Sequence, residues 1–308
     1  MTADYARGTI RVHFPWTVAT LTRVSLELAA MLLLAALPVA TAVAADSVVV
    51  YAAGDIADCR GKPAASSAAA RTAKLIPTGA TVLVLGDTTY PQATGPALES
   101  CYAPTWGAFR ATSHVVPGNH DYVDGSAADF LSYFGAGASG EGYFARRIGS
   151  WLLVGLDSQL SGAALERQYR WLEATLDETD GVHCTLALWH MPLFSSGLRH
   201  GQTPGMRPFW ALLERYRAEL VLNGHEHFYE AFDPLDTNGR VVEDGMREFV
   251  VGTGGARLYP LWSPAHTSRV RFARHGVLRL ELGEDAYAWQ FIDTRGRVLD
   301  AGQARCRD

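Results

Sequence analysis

Five apolar runs in this 308-residue chain end in side chains that bind hard or borderline metal ions. Asp55 follows VVVYAAG, Asp87 follows VLVLG, Asn119 and His120 follow HVVPG, His190 follows CTLALW, and His225 and His227 follow LVLNG. Any one of these reads most simply as a turn aspartate or a hydrogen-bonded histidine. Together they supply two carboxylates, three imidazoles and one amide oxygen, with His120 to spare, a donor set suited to two divalent or trivalent cations. A tyrosine, Tyr90, follows Asp87 in GDTTY. Its phenolate is a hard anionic oxygen that a trivalent ion can hold deprotonated. The competing role for Tyr90 is packing before Pro91.

The elements that must position these groups alternate. SVVVYAAGD reads as a buried strand, PAASSAAARTAKLI (63–76) as a helix and TVLVLGD as the next strand, a βαβ unit that implies parallel pairing. SHVVPGNHD is a third short strand. EGYFARRIGSWLLVGLDS reads as two strands joined at Gly149, an antiparallel hairpin. A helix over 163–176, the strand HCTLALWH, a helix over 208–216 and the strand ELVLNGHEH follow, and the C-terminal part reads as strands and turns only. The fold class is α/β with mixed strands, and 46–308 reads as one continuous domain. In parallel-stranded folds, chemistry collects in the crevice beyond the carboxyl ends of the strands, where all five motifs fall.

Composition narrows the setting. A net charge of -5 with no basic run gives no nucleic-acid-binding surface. Residues 1–45 read as an export segment: Arg7, Arg11 and Arg23 precede an apolar stretch from Val24, and Ala42, Val43 and Ala44 match the small-x-small cleavage pattern. The stretch is also long enough for a membrane anchor, although Glu27 and Pro38 shorten its clean apolar core. The chain is therefore expected to be exported (secreted, periplasmic or at the cell surface), touching a membrane only if that segment is uncleaved. Four cysteines suit such a compartment. Of three possible pairings, Cys59 with Cys101 and Cys184 with Cys306 is favoured, since Cys59 and Cys101 both lie just beyond strand ends. Nothing in the sequence speaks to oligomeric state.

The motifs GDIA (54–57), GDTTY (86–90), GNHD (118–121), ALWH (187–190) and GHEH (224–227) resemble, in order, those of the calcineurin-like metallophosphoesterases, and within them the purple acid phosphatase branch. The resemblance implies two mixed β-sheets packed as a sandwich flanked by α-helices, with a two-metal hydrolytic centre at one edge. Most of that superfamily has a histidine where this chain has Ala57; the purple acid phosphatase pattern lacks it and has a tyrosine at the position of Tyr90. By similarity, one metal is held by Asp55, Asp87, Tyr90 and His227, and the other by Asp87 as bridge with Asn119, His190 and His225. Iron(III) with Zn, Mn or Fe(II) is the expected pair. Two such cations bind a phosphoryl group and lower the pKa of a bound water, and the hydroxide formed attacks phosphorus. His120 is expected to protonate the leaving oxygen, and His200, one residue further along than in the family pattern, to face the substrate phosphate. The other histidines, His13, His114, His183, His266 and His275, read as structural or surface groups, and Asp157 as a support for loops. The expected substrate is a small phosphate monoester; a phosphodiester of nucleotides or nucleic-acid ends, and a non-catalytic secreted binding protein on the same scaffold, are the alternatives.

Overall fold

Strand β1 (Val48–Ala53) lies between β2 (Thr81–Val84), which it pairs in parallel, and β11 (Gly276–Leu282), which runs antiparallel to it. With β3 (Ser113–Val115), β12 (Ala286–Asp293) and β13 (Val298–Arg305) they form a six-stranded sheet in the order β13-β12-β11-β1-β2-β3. A second sheet of seven strands contains β4 (Phe144–Ile148), β5 (Trp151–Gly155), β6 (Cys184–Leu188), β7 (Leu220–Asn223), β8 (Tyr229–Phe232), β9 (Arg247–Val251) and β10 (Ser268–Phe272). Its order is β10-β8-β9-β7-β6-β5-β4, with β5, β6, β7 and β9 mutually parallel. This computed structural model describes residues 47–179, 182–265 and 267–307. The export segment 1–45, its cleavage pattern at 42–44, and His13 and His266 lie outside the described residues.

The period-two alternation of side chains explains the layering. On β5, Trp151 and Leu153 enter the core between the sheets, while Leu152 and Val154 face the other way, toward helices. The same split recurs on β7, with Leu220 and Leu222 inside and Val221 outside, and on β9, with Phe249 and Val251 inside and Val250 outside. The outward set packs against α3 (Gly162–Asp177) through Leu172 and Leu176, and against α4 (Arg207–Arg215) through Phe209, Trp210, Leu212 and Leu213. A strand buried on both faces needs apolar residues at every position, which is why these strands read as unbroken hydrophobic runs.

The hairpin expected at Gly149 forms between β4 and β5 in antiparallel register. The helix expected over 63–76 is shorter. A 3-10 turn (Ala64–Ser66) precedes α1 (Ala68–Ala73), because Ser67 adopts an extended backbone and its side chain accepts the Ala70 N–H at 3.1 Å, starting a new helix there. A helix the sequence did not announce, α2 (Ala128–Phe134), buries Phe130, Tyr133 and Phe134.

Two disulfides close the chain, Cys59–Cys101 and Cys184–Cys306. The first ties the loop after β1 to the segment after β2 across a separation of 42 residues. A loop of that size corresponds to about 4 kcal/mol of denatured-state entropy. No helix among the described residues is long and apolar enough to cross a membrane.

Candidate metal centre

The carboxyl ends of β1, β2 and β3 in one sheet and of β6 and β7 in the other converge on one edge, and each supplies site side chains. Three of these sit in the left-handed region that L-residues avoid: Asp55 (φ 59°), Asp87 (φ 53°) and His225 (φ 70°). Each such residue costs about 1–3 kcal/mol, so the surrounding structure must hold it there. Glycines let the loops close in. A Cβ on Gly118 would lie 2.2 Å from Asp87 Oδ1, and one on Gly224 would lie 2.7 Å from Asp55 Oδ2.

The Tyr90 hydroxyl stands 2.7 Å from Asp55 Oδ1, 2.9 Å from Asp87 Oδ2 and 3.0 Å from His227 Nε2. All four side chains are buried. The backbone of Tyr90 donates to Ala57 O at 2.9 Å, so the tyrosine rides on the strand extension that carries Ala57. His190 Nε2 lies 3.4 Å from Asp87 Oδ2 and 3.2 Å from His225 Nδ1, and donor atoms of Asp55, Asp87 and His190 fall within 4.8 Å of one another. The far nitrogens are committed elsewhere. His190 Nδ1 lies 2.7 Å from Leu85 O and His227 Nδ1 lies 2.7 Å from Arg257 O. Those contacts orient both rings with Nδ1 outward and Nε2 toward the centre, where it could serve as a ligand once its proton is displaced.

The electrostatics ask for positive charge. Burial opposes ionisation of Asp55 and Asp87, yet the neighbouring His227 and His190 hold both carboxyls below the usual range. Burial likewise opposes protonation of His190, but the Asp87 carboxylate pushes it up to about 9. Without a cation, protons on the imidazoles balance the carboxylates. Burial, then the Asp55 and Asp87 charges, push the Tyr90 phenol well above its ordinary value, and burial, then His190, pull His225 down to about 3. A cation at the carboxylates would displace the imidazole protons and lower the phenol, as metal binding to such ligands requires. One further observation fits: Asn119 Oδ1 is buried with no hydrogen-bond partner in the protein. An orphaned acceptor one residue before His120, whose N–H binds the Asp87 carboxylate, suits a ligand position.

His120 N donates to Asp87 Oδ1 at 2.8 Å; its Nδ1 lies against Pro91 O and its Nε2 is 3.8 Å from Asp87 Oδ2. The ring is half-exposed over a cleft of about 290 Å³ that Tyr90, Arg60, Arg199, His227 and Tyr259 also line. His200 packs on the cluster, its ring centroid 4.1 Å from that of His225. Its loop is tethered from below by buried glutamates: Glu226 Oε1 accepts from His200 N (3.1 Å) and Gly201 N (2.9 Å), and Glu230 accepts from Ser196 N at 2.9 Å.

Three participants escaped the sequence reading. Asp121 is fully buried; its Oδ2 accepts from Asp87 N and Gly118 N, both at 2.8 Å, and its Oδ1 from Thr88 N at 3.0 Å and from the Thr88 hydroxyl. It sits in GNHD, where its carboxylate carried no separate signal. Glu226, between two histidines of GHEH, was likewise hidden. Tyr259 comes from the loop after β9; its ring stacks on His227 at 4.0 Å, and its hydroxyl is 3.3 Å from Nε2 of both His227 and His200. No local pattern marks it. Asp157, expected to brace loops, does so: Tyr122 donates to Oδ2 at 2.6 Å and Gln159 N to Oδ1 at 2.8 Å. Of the remaining histidines, His114 packs on Phe144 and His275 Nε2 lies 2.8 Å from Ala256 O, both away from the cluster.

Two mixed sheets with a carboxylate, imidazole and phenol cluster at their shared edge define the metallophosphoesterase architecture. Residues 47–229 match the family model described as calcineurin-like phosphoesterase, and the chain belongs to that family. It is 31% identical over 123 residues to purple acid phosphatase 21 of Arabidopsis thaliana, 37% of this chain and 28% of that protein. An acid phosphatase of Aspergillus ficuum is 32% identical over 76 residues, 24% of this chain and 12% of that protein. The chain thus spans about a third or less of the curated relatives it matches. Among solved structures, a purple acid phosphatase from yellow lupin seeds shares the fold, with a TM-score of 0.67 at 16% identity over 84% of this chain and 54% of that one. So does GAP50 of Plasmodium, with a TM-score of 0.69 at 16% identity over 85% of this chain and 90% of that one.

Proposed function

We propose that this chain is an exported, metal-dependent phosphoric ester hydrolase of the purple acid phosphatase type, acting on small phosphate monoesters, with 1–45 as its export segment and 46–308 as its catalytic domain. The observation that carries this is the meeting of Tyr90, Asp55, Asp87 and His227 around one phenol oxygen. Asp55, Asp87, Tyr90 and His227 would hold one cation, iron(III) by the hardness of the phenolate. Asp87, Asn119, His190 and His225 would hold a second, divalent one, Zn, Mn or Fe(II). Two cations there supply charge to bind phosphoryl oxygens and to make water a nucleophile near neutral pH.

The chain's own groups do the rest. Asp121 orients Asp87 through the backbone of residues 87, 88 and 118. His120, anchored through Nδ1 to the Pro91 carbonyl, presents Nε2 to the leaving oxygen and hands it a proton. His200 and Tyr259, held to each other and to the cluster, face the remaining phosphoryl oxygens. Arg199 raises the positive potential of the cleft mouth and draws in an anionic ester, while Arg60 is paired with Asp58 of the same cleft at 2.8 Å.

Metal analysis with a visible spectrum on the purified protein, alongside p-nitrophenyl phosphate and its diester, tests this reading. Two metal ions per chain, a charge-transfer band lost in Tyr90→Phe, and faster cleavage of the monoester are expected. Absence of bound metal together with absence of cleavage would refute it, and faster diester cleavage would reassign the substrate class.

A further inference from the structure

Five large apolar side chains stand in water among the described residues, and three of them cluster next to the candidate centre: Leu198 (72% exposed), Leu261 (38%) and Trp262 (59%). Leu198 and Trp262 line a recess of about 270 Å³ together with Tyr259, Arg199, Phe228 and Glu226. Tyr259 and Arg199 line the cleft over the cluster as well, so one wall serves both spaces. The Tyr259 hydroxyl faces His227 and His200, at 3.3 Å from each, and the Arg199 guanidinium lies 4.7 Å above its ring. Trp262 is steadied through its backbone, since Arg271 Nη2 donates to Trp262 O at 2.6 Å.

We propose that this recess is the subsite for the alcohol portion of the ester, and that it selects a flat, apolar, ring-sized leaving group. The proposal rests on the phosphoesterase reading above. A phosphoryl group in the cleft that presents its ester oxygen to His120 leaves its alcohol at the cleft mouth, where the shared wall of Arg199 and Tyr259 leads it toward Leu198 and Trp262. Exposed Leu and Trp rims with a buried apolar floor are what a small-molecule site looks like when empty of its ligand. The size argues for one ring system: small-molecule sites begin near 300 Å³. A protein partner would need about 800 Å² of matched surface on each side, far more than this patch offers. Aromatic faces on Trp262 and Phe228 favour a flat ring over a branched aliphatic chain. Glu226 Oε2 is buried without a hydrogen-bond partner, so a ring carrying an N–H or O–H donor gains a further contact on the floor.

Calorimetric binding of two phosphonates, which cannot be hydrolysed, to the metal-loaded protein tests this independently of leaving-group reactivity. Benzylphosphonate is expected to bind at least about tenfold more tightly than methylphosphonate, the low end of what a hydrophobic pocket gives for even one methylene. Because Leu198 and Trp262 are exposed, the double variant Leu198→Ala/Trp262→Ala keeps the fold, which its melting temperature checks. In that variant the preference is expected to shrink to within about twofold. Equal affinities in the wild type, or an undiminished preference in the double variant, would overturn the subsite while leaving phosphoester hydrolysis standing. If neither phosphonate binds and no ester is cleaved, the phosphoesterase reading falls and the subsite with it. Concentration-dependent dimerisation that the double variant abolishes, with the phosphonate preference intact, would assign the patch to a second copy instead.

Discussion

Replacing Asp121 by asparagine tests whether the centre is held from behind by one carboxylate. In the wild type, Oδ2 satisfies the N–H groups of Asp87 and Gly118 and Oδ1 satisfies that of Thr88 together with its hydroxyl, all in a fully buried position. Asparagine has the same shape but a single acceptor oxygen. Whichever way the amide turns, at least one backbone N–H is left buried and unpaired, at about 1–3 kcal/mol. For domains of 150–250 residues, 1 kcal/mol corresponds to about 2–4 °C, so a loss near 2 kcal/mol lowers Tm by about 4–8 °C. The loop it releases carries Asp87, which the proposed bridge requires, and loss of such an outer partner weakens metal affinity by about 10- to 100-fold. Asp121→Ala orphans three backbone N–H groups, so its fall in both quantities should be larger. Scanning calorimetry of the metal-free proteins separates the stability effect from the metal, and titration of each variant with zinc or manganese gives the affinity. Wild-type Tm and wild-type metal affinity in Asp121→Asn would show that the four donors do not depend on the charge and that Asp121 is incidental to the site.

His120→Ala should lower turnover of a monoester by about 100- to 10,000-fold while bound metal stays at the wild-type level; parallel loss of metal and activity would make it a ligand and not an acid. Glu219, buried where it accepts the Thr185 and Arg307 N–H groups, is pushed up to about 7 by burial. Because its folded pKa is raised, the stability it contributes is complete below about 4.5 and is lost as pH rises through about 7, a swing of about 3 kcal/mol. Tm of wild type should therefore fall relative to Glu219→Gln by about 6–12 °C between pH 4.5 and 8, and parallel Tm curves for the two proteins would contradict the assignment.

What could be read in advance was what repeats along the chain. Strands buried on both faces leave unbroken apolar runs, and the residues that interrupt them at Gly54-Asp55, Gly86-Asp87 and Gly224-His225 announce both the strand end and the donor. The limits of α1 were not legible in the same way, because a serine cap at Ser67 competes with the helix propensity of its alanine neighbours and wins through one local hydrogen bond. Asp121 and Glu226 lie inside motifs already assigned to their neighbours. A buried carboxylate that serves backbone N–H groups has the same sequence appearance as one that serves a metal, and only the direction of the donors separates them. Tyr259 is further out of reach, since it arrives on His227 through a loop that neither periodicity nor spacing constrains.

The pair Ala57 and Tyr90 shows why a departure from a pattern can be the more informative signal. A missing histidine alone predicts a site short of one ligand. The hydrogen bond from Tyr90 N to Ala57 O ties the two positions together, so the phenol is carried to Asp55 and Asp87 against the segment that holds Ala57. A bulkier residue at the fully buried position 57 would compete for space beside that segment. The proposed use of a phenol where the related pattern has an imidazole thus belongs to two adjoining strand ends, and its expected consequence is a harder, more anionic pocket for one of the two proposed ions.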